Sequence, residues 1–526
     1  VFVVGSNTTE QHPIIGIEMK KVLRAGGTLI VADPRRTELA TLAHIHLALR
    51  PGTDIALFNG MAHVILAEGL WDRHFVETRT EGLEELRARI EAYPPARAAE
   101  IAGVPVDSLV SAARAYATAN PAAICYTMGL TQHVTGHLNV LGLANLALLT
   151  GNLGKPGAGV NPLRGQNNVQ GASDMGALPN LLPGYQRVND PEARKKFEAA
   201  WGVPLPESPG LTVMEMVDGL KSGRVRGLYV IGENPMLTDP DLSHTREALA
   251  RAELLVVQDL FMTETAELAH VVLPAVSFAE KDGTFTNTER RIQRIRRAIA
   301  RKGAARADGE IVCDLAARLG RPMVYWGPAE VMDEIARLTP IYGGVNFGRL
   351  DGEGLQWPCP SRDHPGTPIL HVSGFPRGRG RFHAVDHLPP DERPDAEFPM
   401  ILTTGRILHQ YHSRTMTGRS PGLDALRPEP EVEVHPQDAE RLGIRTGERV
   451  RVISRRGAVE VPANVTDRVA PGLVFLSFHY ATGAANLLTN PAVDPVARIP
   501  ELKVCAIRLE VPGRLAGRHN TSGRHP

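Results

Sequence analysis

Apolar residues in this chain gather in short runs that break off at glycine or at a polar side chain. Five such runs stand out: VFVVGSN from residue 1, TLIVADPRR from 28, AAICYTMGLTQH from 122, VRGLYVIGENP from 225 and LLVVQDL from 254. Each predicts a buried strand followed by a loop able to meet a ligand. Helical periods lie between them. Leu109, Val110, Ala113 and Tyr116 fall on one helix face, with Asp107 ahead of them as the expected N-cap. Strand alternating with helix predicts an α/β fold of doubly wound, Rossmann-like sheets, largely parallel, whose strand carboxyl ends hold ligands.

After about residue 360 the pattern changes. Proline-rich stretches, WPCPSRDHPGTP and DHLPPDERPDAEFP, give way to short alternating runs: MILTTGR, EVEVHP, RVRVISRRGAVEVPANV and LVFLSF. That alternation predicts a β-barrel. The resulting division is an α/β unit over 1–166, a second over 167–330 with an excursion near 279–307, a connecting region over 331–395, a barrel over 396–512 and a disordered tail over 513–526. Because the chain opens directly on strand residues, it is expected to begin inside a domain.

Size and composition narrow the function. A chain of 526 residues exceeds one hydrophobic core, so several domains are required. Basic and acidic residues balance at 58 each, without the one-signed face of a nucleic-acid-binding protein. No apolar run reaches the roughly eighteen residues of a membrane span, and no signal peptide opens the chain, so a cytoplasmic protein without membrane insertion is expected. The four cysteines, Cys125, Cys313, Cys359 and Cys505, are far apart and make no C-x-x-C pair, which argues against zinc or a cysteine-held cluster in this stretch and for a reducing compartment.

Chemistry is concentrated at strand ends. Gly5, Ser6 and Asn7 follow the first run, Asp33 ends the second, and the loops 52–54, 232–235 and 257–259 add further Asp, Asn, Gln and Gly. Singly, each is commoner as a turn former or helix cap. Together they suit a large ligand rich in purine and ribose donors. Residues 151–176 are dense in glycine and amides around one arginine, Arg164. Its planar guanidinium suits a two-point grip on a carboxylate, although a guanidinium that caps a carbonyl or meets an acid elsewhere in the fold is the alternative.

The stretch GNLGKPGAGVNPLRGQNNVQGASDMGALPNLLPGYQ resembles the substrate-side segment of formate dehydrogenase catalytic subunits, in the molybdopterin oxidoreductase family. GSNTTEQHP, ADPRRTELA, GLTQH, DLFMTETAELAHVVLPAVSFAEKDGTFTNTERRIQ, TTGRILHQYHSRTMTGRSPGL and DPVARIPELKVCAIR resemble the same subunit in the same order, so the likeness runs to about residue 510. It implies molybdenum or tungsten held by two molybdopterin guanine dinucleotides, with the barrel of the double-psi type. The cofactor-facing positions it implies are Asn7, Asp33, Gly52, Asp54, Gln132, Gly232, Asn234, Thr238, Gln258, Asp259 and Asp308 in the α/β part. Arg406, His412, Asn486 and Lys503 are implied in the barrel, and Gln166 toward the pterin.

In the family pattern the arginine of R-G-Q-N-N-V-Q-G binds formate, which here makes Arg164 the substrate residue. Oxidation would release carbon dioxide, two electrons and a proton, with the electrons passing to iron–sulfur or flavin subunits. The family's four iron–sulfur cysteines and its Cys-His or selenocysteine-His pair, the source of the metal ligand, are expected upstream of Val1, so the chain alone is expected to be inactive. None of its four cysteines is followed by histidine. A nitrate-reductase-like oxidoreductase and a scaffold subunit without the metal are the rival readings. Cys125 and Cys505 read as core thiols, His133 and His137 as structural or ligand-orienting without a nameable carboxylate partner, and Arg290 and Arg291 as a contact to a neighbouring subunit or the cluster domain, or else as a solvated face or an internal ion pair.

Overall fold

The computed structural model describes residues 1–513. Five parallel strands form the first sheet, in the order Ile45–Leu47, Ile30–Ala32, Phe2–Val4, Ala123–Tyr126 and Gly159–Pro162. Side chains alternate across it. Phe2 and Val4 pack with Phe58, Met61, Leu109, Tyr116 and Leu146 on one face, while Val3, Val31 and Cys125 meet Met19 and Leu39 on the other. Burial on both faces explains why these strands read as continuous apolar runs. The helix Val106–Thr118 buries Leu109, Ala113 and Tyr116 as its spacing predicts. Asp107 is not its N-cap: Pro105 occupies that position, with the φ near −61° that helix entry needs, and Asp107 is exposed in the first turn facing the helix dipole.

Strand order reverses between Phe2–Val4 and Ala123–Tyr126, which opens a crevice at their carboxyl ends. Gly5, at φ +53°, meets Gly129 there, and a Cβ on Gly5 would stand 2.6 Å from the Gly129 carbonyl carbon. Gly129 N and the Thr127 hydroxyl both donate to the Gly5 carbonyl, the former at 3.1 Å.

A second parallel sheet holds Val271–Pro274, Leu254–Asp259 and Gly227–Ile231, covered by the helices Val213–Ser222 and Leu242–Leu249. The excursion near 279–307 contains an antiparallel pair, Gly283–Thr286 with Arg291–Ile295, joined by Leu355–Gln356. Farther on, Gly380–Arg381 pairs with Thr80–Glu81, so the connecting region runs back onto both α/β units. The predicted tail lies outside the described residues, apart from Gly513.

Six strands close a barrel between Met400 and Glu510. The alternation seen in the sequence is the inside–outside pattern: Val450 and Val452 point into its core while Arg449 and Arg451 stay outside. Met400–Gly405 runs parallel to Leu473–Ser477 and antiparallel to Cys505–Glu510. One buried ion pair ties this barrel to the first sheet. Arg35, just past the second strand, reaches Glu433 at 2.9 Å and lies 3.4 Å over the Phe475 ring. Arg468 adds contacts to Glu433 at 3.4 Å and to Glu10 at 3.2 Å. Among the described residues no helix is long and apolar enough to cross a membrane.

Candidate active site

The crevice above the switch point is walled by the barrel and becomes a cleft. Ten of the sequence-predicted positions line it: Asn7, Asp33, Asp54, Gln132, Gln166, Thr238, Arg406, His412, Asn486 and Lys503. Asp33 ends its strand and accepts from Arg35 N at 2.9 Å, so the chain turns toward the barrel as the carboxylate faces the cleft. Asp54 begins the helix Asp54–Ala67; burial, then the charge of Asp33, raises its carboxyl to about 7. Gly52 does not line the cleft as predicted. At φ +82° it makes the turn that delivers Asp54, and a Cβ there would strike Pro390 at 2.5 Å.

Cations come from the barrel. Lys503 donates to the Thr404 carbonyl at 2.7 Å, and burial together with nearby Arg406 lowers its ammonium to about 7. Burial also lowers the Arg406 guanidinium, which has no acidic partner among the described residues. Arg406 and Lys503 thus set buried basic groups on the barrel wall, with Asp33 across the cleft as the acid that Lys503 faces, and Arg406 is the one left open to an anion. His412 carries the strained φ of +44° and is pushed down to about 4 by burial, so it is neutral; its carbonyl accepts from His479 Nδ1 at 2.5 Å.

Several buried polar atoms on the same walls have no protein partner: Asn7 Nδ2, Gln11 Nε2, His12 Nδ1 and His133 Nδ1. Buried donors and acceptors are normally satisfied, so four orphans on residues that line one cleft fit a polar ligand there. Gln11 and His12 were not singled out by the sequence, although both stand in the GSNTTEQHP run. Neither residue type nor spacing marked them out from their polar neighbours.

At the carboxyl ends of the second sheet, Gly232, Gln258, Asp259 and Asp308 line a second pocket with Lys281 and Phe278. Gln258 donates to Asp308 at 2.7 Å and Lys281 pairs with the other oxygen of that carboxylate. Asn234 does not join them. Its side chain is taken up by Thr265, whose N and Oγ1 donate to it at 3.2 and 2.7 Å, and by Glu264 at 2.7 Å, so it braces the loop. Asn486 borders the central cleft but gives its amide to the carbonyls of Leu237 and Thr238 at 3.0 and 3.1 Å, which ties the barrel to the second unit.

Arg164 stands one residue behind the lining, with Leu163, Gly165 and Gln166 bordering the cleft. Its carbonyl accepts from His12 Nε2 at 2.6 Å, and its Nε donates to Gln170 Oε1 at 3.1 Å. It makes no ion pair, and its two terminal nitrogens have no protein partner among the described residues.

Residues 1–318 match the family described as molybdopterin oxidoreductase, and residues 400–506 match the molybdopterin dinucleotide binding domain. The chain belongs to the molybdopterin oxidoreductase family. The α subunit of the F420-dependent formate dehydrogenase 1 of Methanococcus maripaludis is 50% identical over 97% of this chain and 76% of its own length. Formate dehydrogenase H of Escherichia coli is 43% identical over 97% of this chain and 72% of its own. A solved structure, acetylene hydratase from Pelobacter acetylenicus, shares the fold at a TM-score of 0.78 and 20% identity, covering 97% of this chain and 77% of that one.

A molybdopterin cofactor belongs with such an oxidoreductase, and the cleft fits one. Orphaned amides and imidazoles, buried carboxyl groups, the Lys503 amine and the Arg406 guanidinium without an acidic partner are complementary to a polar, phosphate-bearing heterocycle. Other expectations of this molybdopterin oxidoreductase needed revision. His137 does have a carboxylate partner: its Nδ1 and backbone N both contact Asp494 at 2.8 Å, across 357 residues. Arg290 is half-buried rather than on a solvated face; at φ +65° it turns its guanidinium onto the carbonyls of Trp357, Thr367 and Pro368. Cys125 and Cys505 are core thiols, pushed up to about 11 and about 12 by burial, the reverse of what a metal-ligating thiolate requires.

Proposed function

We propose that this chain is the cofactor-holding part of a formate dehydrogenase catalytic subunit, interconverting formate and carbon dioxide. The observation that carries the reading is the open guanidinium fork of Arg164 beside a cleft built for a large anionic cofactor. Gripping both oxygens of formate leaves its C–H bond pointing the opposite way, because the carbon bears nothing else. The cation also offsets the substrate charge. When bound, a molybdenum or tungsten centre on two molybdopterin guanine dinucleotides supplies the two-electron acceptor.

The chain's own residues hold and orient. Guanine presents N–H donors on its Watson–Crick edge, which buried carboxylates such as Asp54 accept; Lys503 and Arg406 face phosphate. Gly232, Gln258, Asp259 and Asp308 offer the matching set for the second nucleotide. Electrons leave through partner subunits with iron–sulfur or flavin groups, and a 4Fe–4S cluster sits on the segment that supplies the metal's cysteine or selenocysteine ligand. Four unpaired cysteines suit a cytoplasmic setting.

The test is Arg164→Lys in the cofactor-loaded holoenzyme. Keeping the charge but losing the fork should lower kcat/KM for formate by about a hundredfold or more, with metal and guanine content unchanged. Unchanged formate kinetics would overturn the proposal.

A further inference from the structure

Arg164 is held in place by a hydrogen-bonded network in which no second cation takes part, the Arg290 guanidinium acting on Asp174 only through space. Its Nε donates to Gln170 Oε1 at 3.1 Å, and Gln170, buried on the short helix Val169–Asp174, donates through Nε2 to Asp174 Oδ1 at 2.8 Å. Asp174 is fully buried and forms no ion pair. Neutral donors satisfy it instead: Tyr185 OH on the same oxygen at 2.7 Å, and Tyr342 OH on the other at 2.6 Å. Thr286 lies 3.2 Å behind Tyr342, and Tyr185 takes a left-handed φ of +60° to present its hydroxyl.

The chemistry of these groups fixes the direction of every bond. An ionised carboxylate only accepts, so the Gln170 amide must turn its NH₂ toward Asp174. Its carbonyl oxygen then faces Arg164, where a flipped amide would set donor against donor. A direct carboxylate at that place would hold the guanidinium just as firmly but would neutralise it and compete with an anionic substrate. The amide passes on orientation without charge. A buried carboxylate without an ion pair is costly, and the three donors around it, with the Arg290 guanidinium near by, are what make this one tolerable.

We infer that Gln170 and Asp174 are positioning residues: Asp174 sets the amide of Gln170, and Gln170 sets the plane of Arg164 while leaving its charge free for a small carboxylate. This rests on the formate reading above. In the holoenzyme, Gln170→Glu keeps size and puts a carboxylate against Arg164, and it should raise KM for formate about tenfold or more while kcat changes less. Asp174→Asn, which frees the amide to flip, should move KM in the same direction. In an Arg164→Lys background, Gln170→Glu should add less than about twofold, because residues acting through one group are not additive.

Three results would overturn the inference while leaving the formate reading intact, provided Arg164→Lys alone lowers kcat/KM for formate. The first is an unchanged KM in both Gln170→Glu and Asp174→Asn. The second is full additivity in the double variant. The third is loss of metal and guanine from both single variants, which would make the network structural. If Arg164→Lys itself leaves kcat/KM for formate unchanged, the formate reading falls instead.

Discussion

Asp54 and Lys503 are both held against their behaviour in water. Burial raises the Asp54 carboxyl to about 7, so between its unfolded value near 4 and pH 7 the folded chain keeps a proton that the unfolded chain releases. Its contribution to stability therefore falls as pH rises through that window and stays low above it. Asp54→Asn should raise the Tm of the cofactor-free chain at pH 8 and change it little near pH 4, as thermal denaturation at the two pH values will show. Lys503, lowered to about 7, works in the opposite window: its burial is unfavourable below pH 7 and is relieved as pH climbs toward 10. The strand-end acids were legible in the sequence because their positions follow from where strands stop, whereas the barrel lysine was implied only by the family resemblance. His12 was not, since only the folded chain shows that one ring nitrogen meets the Arg164 carbonyl while the other is left without a partner.

Between elements, the Arg35–Glu433 pair does the most to fix the geometry, since it joins the loop after the second strand to the barrel strand Val432–Val434. Replacing one member leaves the other charge buried. Arg35→Met should cost about 3 kcal/mol or more, with the lower end expected because Arg468 still reaches Glu433, and chemical denaturation will measure it. The strands themselves could be read from periodicity, as Val450 and Val452 show by alternating with Arg449 and Arg451. The ties between units could not. Arg35 and Glu433 are separated by 398 residues, and His137 and Asp494 by 357, so nothing local to either sequence reveals the partner. Asp107 failed for a different reason: Pro105 already sets the entry angle of that helix, which makes a side-chain cap unnecessary.

At the scale of the whole molecule, the central cleft is a seam: the first sheet supplies Asn7 and Asp54, the second unit Thr238, and the barrel Arg406 and Lys503. A ligand that touches all three should couple their unfolding. Calorimetry of the cofactor-loaded protein should show one transition at higher temperature, and removal of the cofactor by acid should release guanine nucleotide and split the transition into at least two. A single unchanged transition after stripping would mean that the ion pairs alone weld the units.

The contact of Gly5 with Gly129 gives that seam an unusual base. Where the two loops cross, only peptide planes are exposed, and even a methyl group would act as a wedge prising neighbouring strands apart. The base therefore cannot be retuned one substitution at a time, and any drift in ligand preference within this scaffold must be written on the surrounding walls.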